Sequence, residues 1–481
     1  MVGWLKHTSG GVGEEISRRT FVGSASAAVA GITLPGTALG KTKRVAAGNR
    51  VNLAVIGAGG MGASNMSRLT SQNIVALCDP DFAHVGKSFL NRDGQPRADR
   101  VDLKLAYDKA AKFADYRRMF DRQRDIDAVV IATPDHHHAV AARMAMERGI
   151  HVYVQKPLTH TVREGRRLLS LARGNPKLVT QMGNQGHSGD DGRRVVELIR
   201  GGVIGKVREV QLWTNRPVWP QGVAKPKALT MPETLDWDVW VGPARVDWGY
   251  HPDYAHFNWR GWVPFGGGAL GDMGAHLIDF PIWALGPGLP TTIEVRHTPW
   301  GGDANLWDSK PPNELTSYPQ GSVTYFEFGN AKDGPLRMTW YDGGLLPPSP
   351  EGLIHNVHMS PEGGVLYLGD QGTLMHETYG ANPSLWGEGV AERAAKVPQT
   401  LPRIEGGSAG HEMNWIRSIR GEDKISCPFE YAVPLNETMV LGNVALRAEQ
   451  RIDYDGVVGH ITNLPDADRF LDREYRAGWE L

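Results

Sequence analysis

Only two cysteines occur among 481 residues, and neither Cys78 nor Cys427 has a neighbouring Cys or His at the spacing of a metal site. Both read as buried apolar residues rather than as a disulfide. Net charge is almost absent: 52 Lys and Arg against 53 Asp and Glu leave −1, with the signs interspersed, so nothing points to nucleic acid or an anionic membrane as partner. There is no internal repeat, heptad run or long low-complexity tract, which excludes solenoids and coiled coils. No long apolar run offers a membrane anchor, since the best stretch, 23–39, is short, Gly-rich and broken by Pro35. A small-molecule substrate is the default, and 41% hydrophobic residues can build two domains plus extras.

What is present begins with glycine. The apolar run Val51 to Ile56 meets Gly57-Ala-Gly59-Gly60-Met61-Gly62, where a buried strand turns into a helix. Gly57 permits the tight turn, Gly59 lets backbone approach a pyrophosphate, and Gly62 allows close helix–strand packing. The helix N-terminus offers unpaired N–H groups to the phosphates. Ile74 to Cys78 reads as the second strand, and Asp79 falls at the offset where a carboxylate hydrogen-bonds the adenosine ribose. A carboxylate there repels a 2′-phosphate, so the expected cofactor is NAD rather than NADP.

Strand–helix alternation continues. Ala128 to Ala132 reads as a buried strand ending at Thr133-Pro134, Ala139 to Arg148 as a helix, and Ile150 to Val154 as a strand delivering Gln155-Lys156-Pro157. Ligands of open α/β sheets bind at the C-terminal strand edges, so Thr133, His136 and Lys156 are expected near the reactive end of the dinucleotide. The His136-His137-His138 triplet cannot chelate as a unit because adjacent side chains diverge, and no metal is expected. His136 or His138 is expected to border the nicotinamide, and His187 to line a substrate pocket or else to belong to a plain turn.

Taken together, the fingerprint, Thr133-Pro134-Asp-His-His-His138, Gln155-Lys156-Pro157-Leu158 and Gly271-Asp272-Met-Gly-Ala-His276 resemble the Gfo/Idh/MocA oxidoreductases. The resemblance implies an N-terminal Rossmann domain joined to a C-terminal α/β domain with a large, open, mostly antiparallel sheet. It implies oxidation or reduction of a secondary alcohol on a sugar or cyclitol, with Lys156, Asp272 and His276 as the catalytic set. It implies further that Thr133, Pro134 and Gln155 join the cofactor contacts, and that the protein is a dimer or tetramer. The family commonly has Glu-Lys-Pro where this chain has Gln155, which either withdraws a stabiliser of the Lys156 ammonium or alters ribose contacts.

Beyond residue 160 the patterns fit such a second domain. Val207–Trp213, Thr292–Arg296, Ser322–Phe328, Leu336–Tyr341 and, more weakly, Val365–Leu368 read as strands; Arg193–Arg200, Ala275–Leu285 and Leu435–Arg451 read as helices. The Pro- and Trp-rich segment 217–265 is too long for a plain connector. Its tryptophans suit either a sugar face or a pinned loop, the second being the commoner use of buried rings. Trp259-Arg260, just before the catalytic candidates, is the best substrate-binding exception. Asp272 and His276 are four apart and share a helix face. His276 needs little help to act as a base, whereas Lys156 must be deprotonated by desolvation or a nearby positive charge. His276 is assigned as base and Lys156 as the hydroxyl-orienting group, with exchange of these roles left open.

The first forty residues carry a separate message. Ser17-Arg18-Arg19-Thr20-Phe21-Val22 before the 23–39 stretch resembles a twin-arginine export signal, with cleavage near Gly40. The expected organisation is a signal at 1–40, a Rossmann domain at 49–160 and a C-terminal substrate and oligomerisation domain at 161–475, in a protein exported to the periplasm. Free dinucleotide is scarce there, so NAD is expected to be tightly held and recycled. An NAD-dependent glycosidase is the alternative enzyme class, and a non-catalytic sugar or NAD sensor a third reading.

Overall fold

The β-branched runs near the N-terminus are strands of one parallel sheet because both of their faces are covered. This computed structural model describes residues 50–299, 315–350, 353 and 358–481. The arginine pair and the 23–39 stretch lie outside them. Strands β1 (Asn52–Ile56), β2 (Asn73–Cys78), β3 (Ala111–Phe113), β4 (Ala128–Ile131), β5 (His151–Gln155) and β6 (Thr180–Gly183) lie in the order β3-β2-β1-β4-β5-β6. Along β1, Leu53 and Val55 pack into one apolar cluster, and Ala54 and Ile56 into another. That double burial is why the run has no polar alternation. The sheet continues past residue 160, where the sequence suggests a domain end, because β6 pairs with β5.

The strand order reverses between β1 and β4, which opens a crevice at their C-terminal edges. Helix α1 (Gly60–Arg68) starts on one side of it and α2 (Asp135–Met146) on the other. The second sheet has nine strands: β7 (Val207–Thr214), β8 (Thr292–His297), β9 (Ser322–Phe328), β10 (Leu336–Tyr341), β11 (Gly363–Gly369), β12 (Gly372–Glu377), β13 (Ser384–Trp386), β14 (Ile452–Asp455) and β15 (His460–Ile461). Their order is β13-β12-β11-β7-β10-β9-β8-β14-β15, with β7 and β10 parallel and the other pairs antiparallel. The alternating burial of β9 shows one face turned inward.

The long α6 (Phe429–Ala448) packs against β6 of the first sheet and β8 of the second, α3 (Gly268–Leu277) packs against β7 and α6, α4 (Asp279–Leu285) packs against α3, and α5 (His411–Ile419) packs Trp415 and Ile416 against the first sheet. The single helix expected at 275–285 is therefore two, and the first begins seven residues earlier, so that Asp272 sits inside it. Both cysteines are buried free thiols. Among the described residues, no helix is long and apolar enough to cross a membrane.

Candidate active site

The phosphate-binding turn is built from close backbone contacts. Gly57 has φ +78°, and a Cβ there would lie 2.6 Å from the Ala132 carbonyl oxygen; a Cβ on Gly62 would lie 1.8 Å from the Gly57 oxygen. Asp79 ties this turn together, its carboxylate accepting from the N–H groups of Ala58 (2.9 Å), Gly59 (3.4 Å) and Asp81 (2.9 Å). Burial pushes Asp79 up to about 6, against the pull of those same hydrogen bonds. The α1 N-terminus has no side-chain cap, so its first N–H groups are left for a ligand.

A cavity of about 450 Å³ follows this turn and the strand edges. Gly57, Gly59, Gly60, Met61, Asp79, Thr133, Pro134, Gln155 and Lys156 all line it, whereas Gly62 packs beneath the turn. The buried Thr133 hydroxyl has no partner among the described residues, as suits a group reserved for a bound molecule. These features fit a dinucleotide: an open anion-binding turn, a ribose-facing carboxylate and an orphan hydroxyl farther along.

His136 is a correction. Its ring is fully buried, with Nδ1 3.1 Å from the Phe265 carbonyl and Nε2 3.2 Å from that of Trp240, and it does not reach the cavity. Its neighbour His137 does, held by the Trp240 carbonyl (2.8 Å) and the Tyr116 hydroxyl (3.3 Å). His138 is spent on the carbonyls of Pro157 and Thr133. Among the described residues, no three His, Cys, Asp or Glu side chains are grouped to hold a metal.

The roof of the cavity comes from 217–265, through Val239, Trp240, His256, Phe257, Trp259 and Arg260. Asp236 N–H donates to the Pro80 carbonyl (2.9 Å), and the His256 ring lies flat on His84 with centroids 3.8 Å apart. Most of the segment's aromatic rings pin it down: Trp237 stacks on Trp240 at 4.6 Å, and Trp262 is completely buried. Among the tryptophans, Trp240 and Trp259 reach the cavity.

At the far end, Lys156 on the edge of β5 meets α3. Its Nζ donates to the Asp272 carbonyl (2.8 Å) and carboxylate (2.9 Å). Arg260, lying over the faces of Trp259 (4.2 Å) and Phe257 (4.7 Å), donates Nε to the same carboxylate at 3.1 Å. Arg216 approaches its other oxygen at 3.8 Å. Burial would raise Asp272, but Lys156 and Arg260 hold it well below the usual carboxylate range. One turn along α3, His276 is pushed down to about 3, first by burial and then by the Lys156 charge, with Asp272 opposing.

The tautomer of His276 follows from its partners. Its Nδ1 is 3.2 Å from the Asn184 amide oxygen, whose orientation is fixed because Asn184 Nδ2 donates to Asp279 at 2.9 Å. Nδ1 therefore carries the hydrogen and Nε2 a lone pair. Asp279, fully buried, also accepts from the Tyr431 hydroxyl (2.5 Å) and from His187 Nδ1 (2.9 Å). His187, stacked on Trp283 at 3.9 Å, is thus buried behind His276 and is not a lining of the cavity. Tyr379, held at φ +66°, places its ring 4.6 Å from His276. Arg216, Asn184, Asp279 and Tyr379 were missed because no local motif joins residues that meet only through the fold. The positions of Arg216 just past β7 and Asn184 just past β6, at strand ends, were the available signal.

Two family models match: "Oxidoreductase family, NAD-binding Rossmann fold" over residues 51–182 and "Oxidoreductase family, C-terminal alpha/beta domain" over 196–305, together about half the chain. The chain is 31% identical over 163 residues to a glycosyl hydrolase family 109 protein 2 of Shewanella sp. (strain ANA-3), 33% of each chain. It is 23% identical over 202 residues to an inositol 2-dehydrogenase of Corynebacterium glutamicum (strain R), 41% of this chain and 55% of that one. The matches thus span a third to about half the length of these relatives. In fold it is similar to the WlbA dehydrogenase of Chromobacterium violaceum, solved with NADH and UDP-GlcNAcA, with TM-score 0.56, 16% identity, and coverage of 85% and 97% of the two chains. The chain belongs to the Gfo/Idh/MocA oxidoreductase family, and its N-terminal sheet is that family's NAD-binding Rossmann domain.

Proposed function

We propose that the protein oxidises or reduces a secondary alcohol of a sugar, glycoside or cyclitol. The observation that carries this is the junction of Lys156, Asp272 and His276 at one end of the dinucleotide cavity, with His276 Nδ1 fixed by Asn184. NAD, when bound by the Gly57–Gly62 turn and Asp79, supplies the hydride acceptor. In the oxidative direction His276 takes the hydroxyl proton at Nε2. Lys156 spends two of its three donors on Asp272 and keeps the third for the substrate oxygen, stabilising the charge that develops there. Asp272 then favours the imidazolium that forms. His276 is the better placed base because its Nδ1–H is held by Asn184 and its Nε2 carries a lone pair, whereas Lys156 Nζ is turned to two oxygens of Asp272.

The roof formed by 217–265 supports a retained cofactor, and the Arg18-Arg19 pair supports twin-arginine export of the loaded protein. A second reading, NAD-dependent glycoside hydrolysis by transient oxidation, is favoured by the relatives of glycosyl hydrolase family 109. Native mass spectrometry of the full chain is expected to find bound NAD, and a screen of sugars to change absorbance at the bound nicotinamide. A protein that takes up NAD but whose nicotinamide no sugar or cyclitol reduces would refute the oxidoreductase reading. Solvent deuterium on the carbon beside the oxidised one, with loss of the aglycone, would select the glycosidase.

A further inference from the structure

We infer that the substrate is an anionic sugar, one bearing a carboxylate or a sulfate ester, and that Arg216 and Arg260 bind that group. The inference rests on the oxidoreductase reading and names its substrate class. Three cations, Lys156, Arg260 and Arg216, converge on the single carboxylate of Asp272, at 2.9, 3.1 and 3.8 Å. Asp135, the other carboxyl close to Lys156 and Arg260, is pushed up to about 7 by burial, so even its full ionisation leaves cations in excess. His276 is neutral and adds nothing to balance them. Oxidised nicotinamide brings a further positive charge.

The two guanidinium groups are only part-used. Arg260 donates Nε to Asp272 and Nη1 to the Phe257 carbonyl; Arg216 donates Nη1 to the Asn215 side chain. The Nη2 of each has no hydrogen-bond partner among the described residues, and the side chains remain 22% and 29% exposed. Arg260 lines the cavity itself, and Arg216 is close enough to His276 to help depress it. Two guanidinium groups with free Nη2 donors in a part-buried site match the planar or tetrahedral oxygens of an acid group, whereas a neutral polyol needs no such excess.

The test uses the full, NAD-loaded chain with three probes: methyl glucoside, methyl glucuronide and methyl glucoside 6-sulfate. Calorimetry is expected to show one acidic probe binding at least tenfold tighter than the neutral one, with the advantage shrinking in high salt; the tighter probe identifies the acid group. Arg216→Gln is expected to cut that advantage to threefold or less, the acidic probe losing more affinity than the neutral one. Should that variant fail to fold, Arg216→Lys is expected to keep part of the advantage. Equal affinity for neutral and acidic probes, or an advantage indifferent to both variants, overturns the inference. Acidic sugars that bind selectively without any sugar reducing the nicotinamide overturn the oxidoreductase reading instead.

Discussion

At the scale of the residue, the site works by making one imidazole neutral and one carboxylate charged in the same buried space. His276 stays deprotonated because burial and the Lys156 ammonium both penalise its cation. For the wild-type protein, kcat/KM is therefore expected to show no acid limb from His276 near 6.5, the group titrating instead at about 3. Lys156→Met removes a positive charge, so protonation of His276 becomes easier and the limb moves up toward 6.5, alongside a rate loss of about 10²–10⁴. A pH–rate profile unchanged in that variant would separate the two residues. Gln155 acts elsewhere: its amide donates to Asn65, which in turn donates to the buried Glu412. Nothing in that chain of contacts touches the Lys156 ammonium, so the departure from Glu-Lys-Pro avoids crowding a second carboxylate against Glu412.

At the scale of the element, the strand–turn–helix unit at 52–68 and the roof segment are matched halves of one cavity. Two glycines in the turn are expected to respond differently to alanine. Gly62→Ala drives a methyl into the Gly57 carbonyl at 1.8 Å, and is expected to cost about 1–3 kcal/mol and abolish NAD retention. Gly60→Ala meets nothing within 4 Å and pays only for its φ of +46°, about 1–2 kcal/mol, with NAD still bound. Thermal unfolding and the dinucleotide content of the purified variants check both. Strands β1, β2, β4 and β5 were legible because each is a short apolar run of strand length, whereas the three-residue β3 was not. α5 was not, since His411–Ile419 is a short amphipathic stretch whose partner strands lie more than 200 residues earlier.

For the whole molecule, buried histidines set the response to acid. His137, His138, His160, His276, His376 and His411 are all pushed down by burial, to between about 3 and 4. Each takes up a proton near 6.5 only after unfolding, so stability is full above that pH and is lost as pH falls toward 4. Asp79, Asp135 and Asp342, raised by burial, oppose this, but they are fewer. The melting temperature is expected to be flat above pH 7 and to fall steadily from 6.5 to 4. A melting temperature that rises over that interval would show the carboxyls to dominate.

The sequence by itself determined the dinucleotide turn, which backbone geometry requires, and through its motifs the family; by that resemblance it singled out Lys156, Asp272 and His276 as candidates. It also offered Trp259 and Arg260 as substrate-binding candidates, and both line the cavity. Only the tertiary structure decided the division of labour among histidines. The rings of His136 and His137 meet at 4.3 Å and share the Trp240 carbonyl, yet His136 is closed off by the Phe265 carbonyl while His137 reaches the cavity. His187 moved from the pocket to a place behind His276, linked to it through Asp279 and Asn184. Arg216 joined the site because β7 ends beside α3. Such meetings depend on how sheets and helices pack, which no spacing along the chain records.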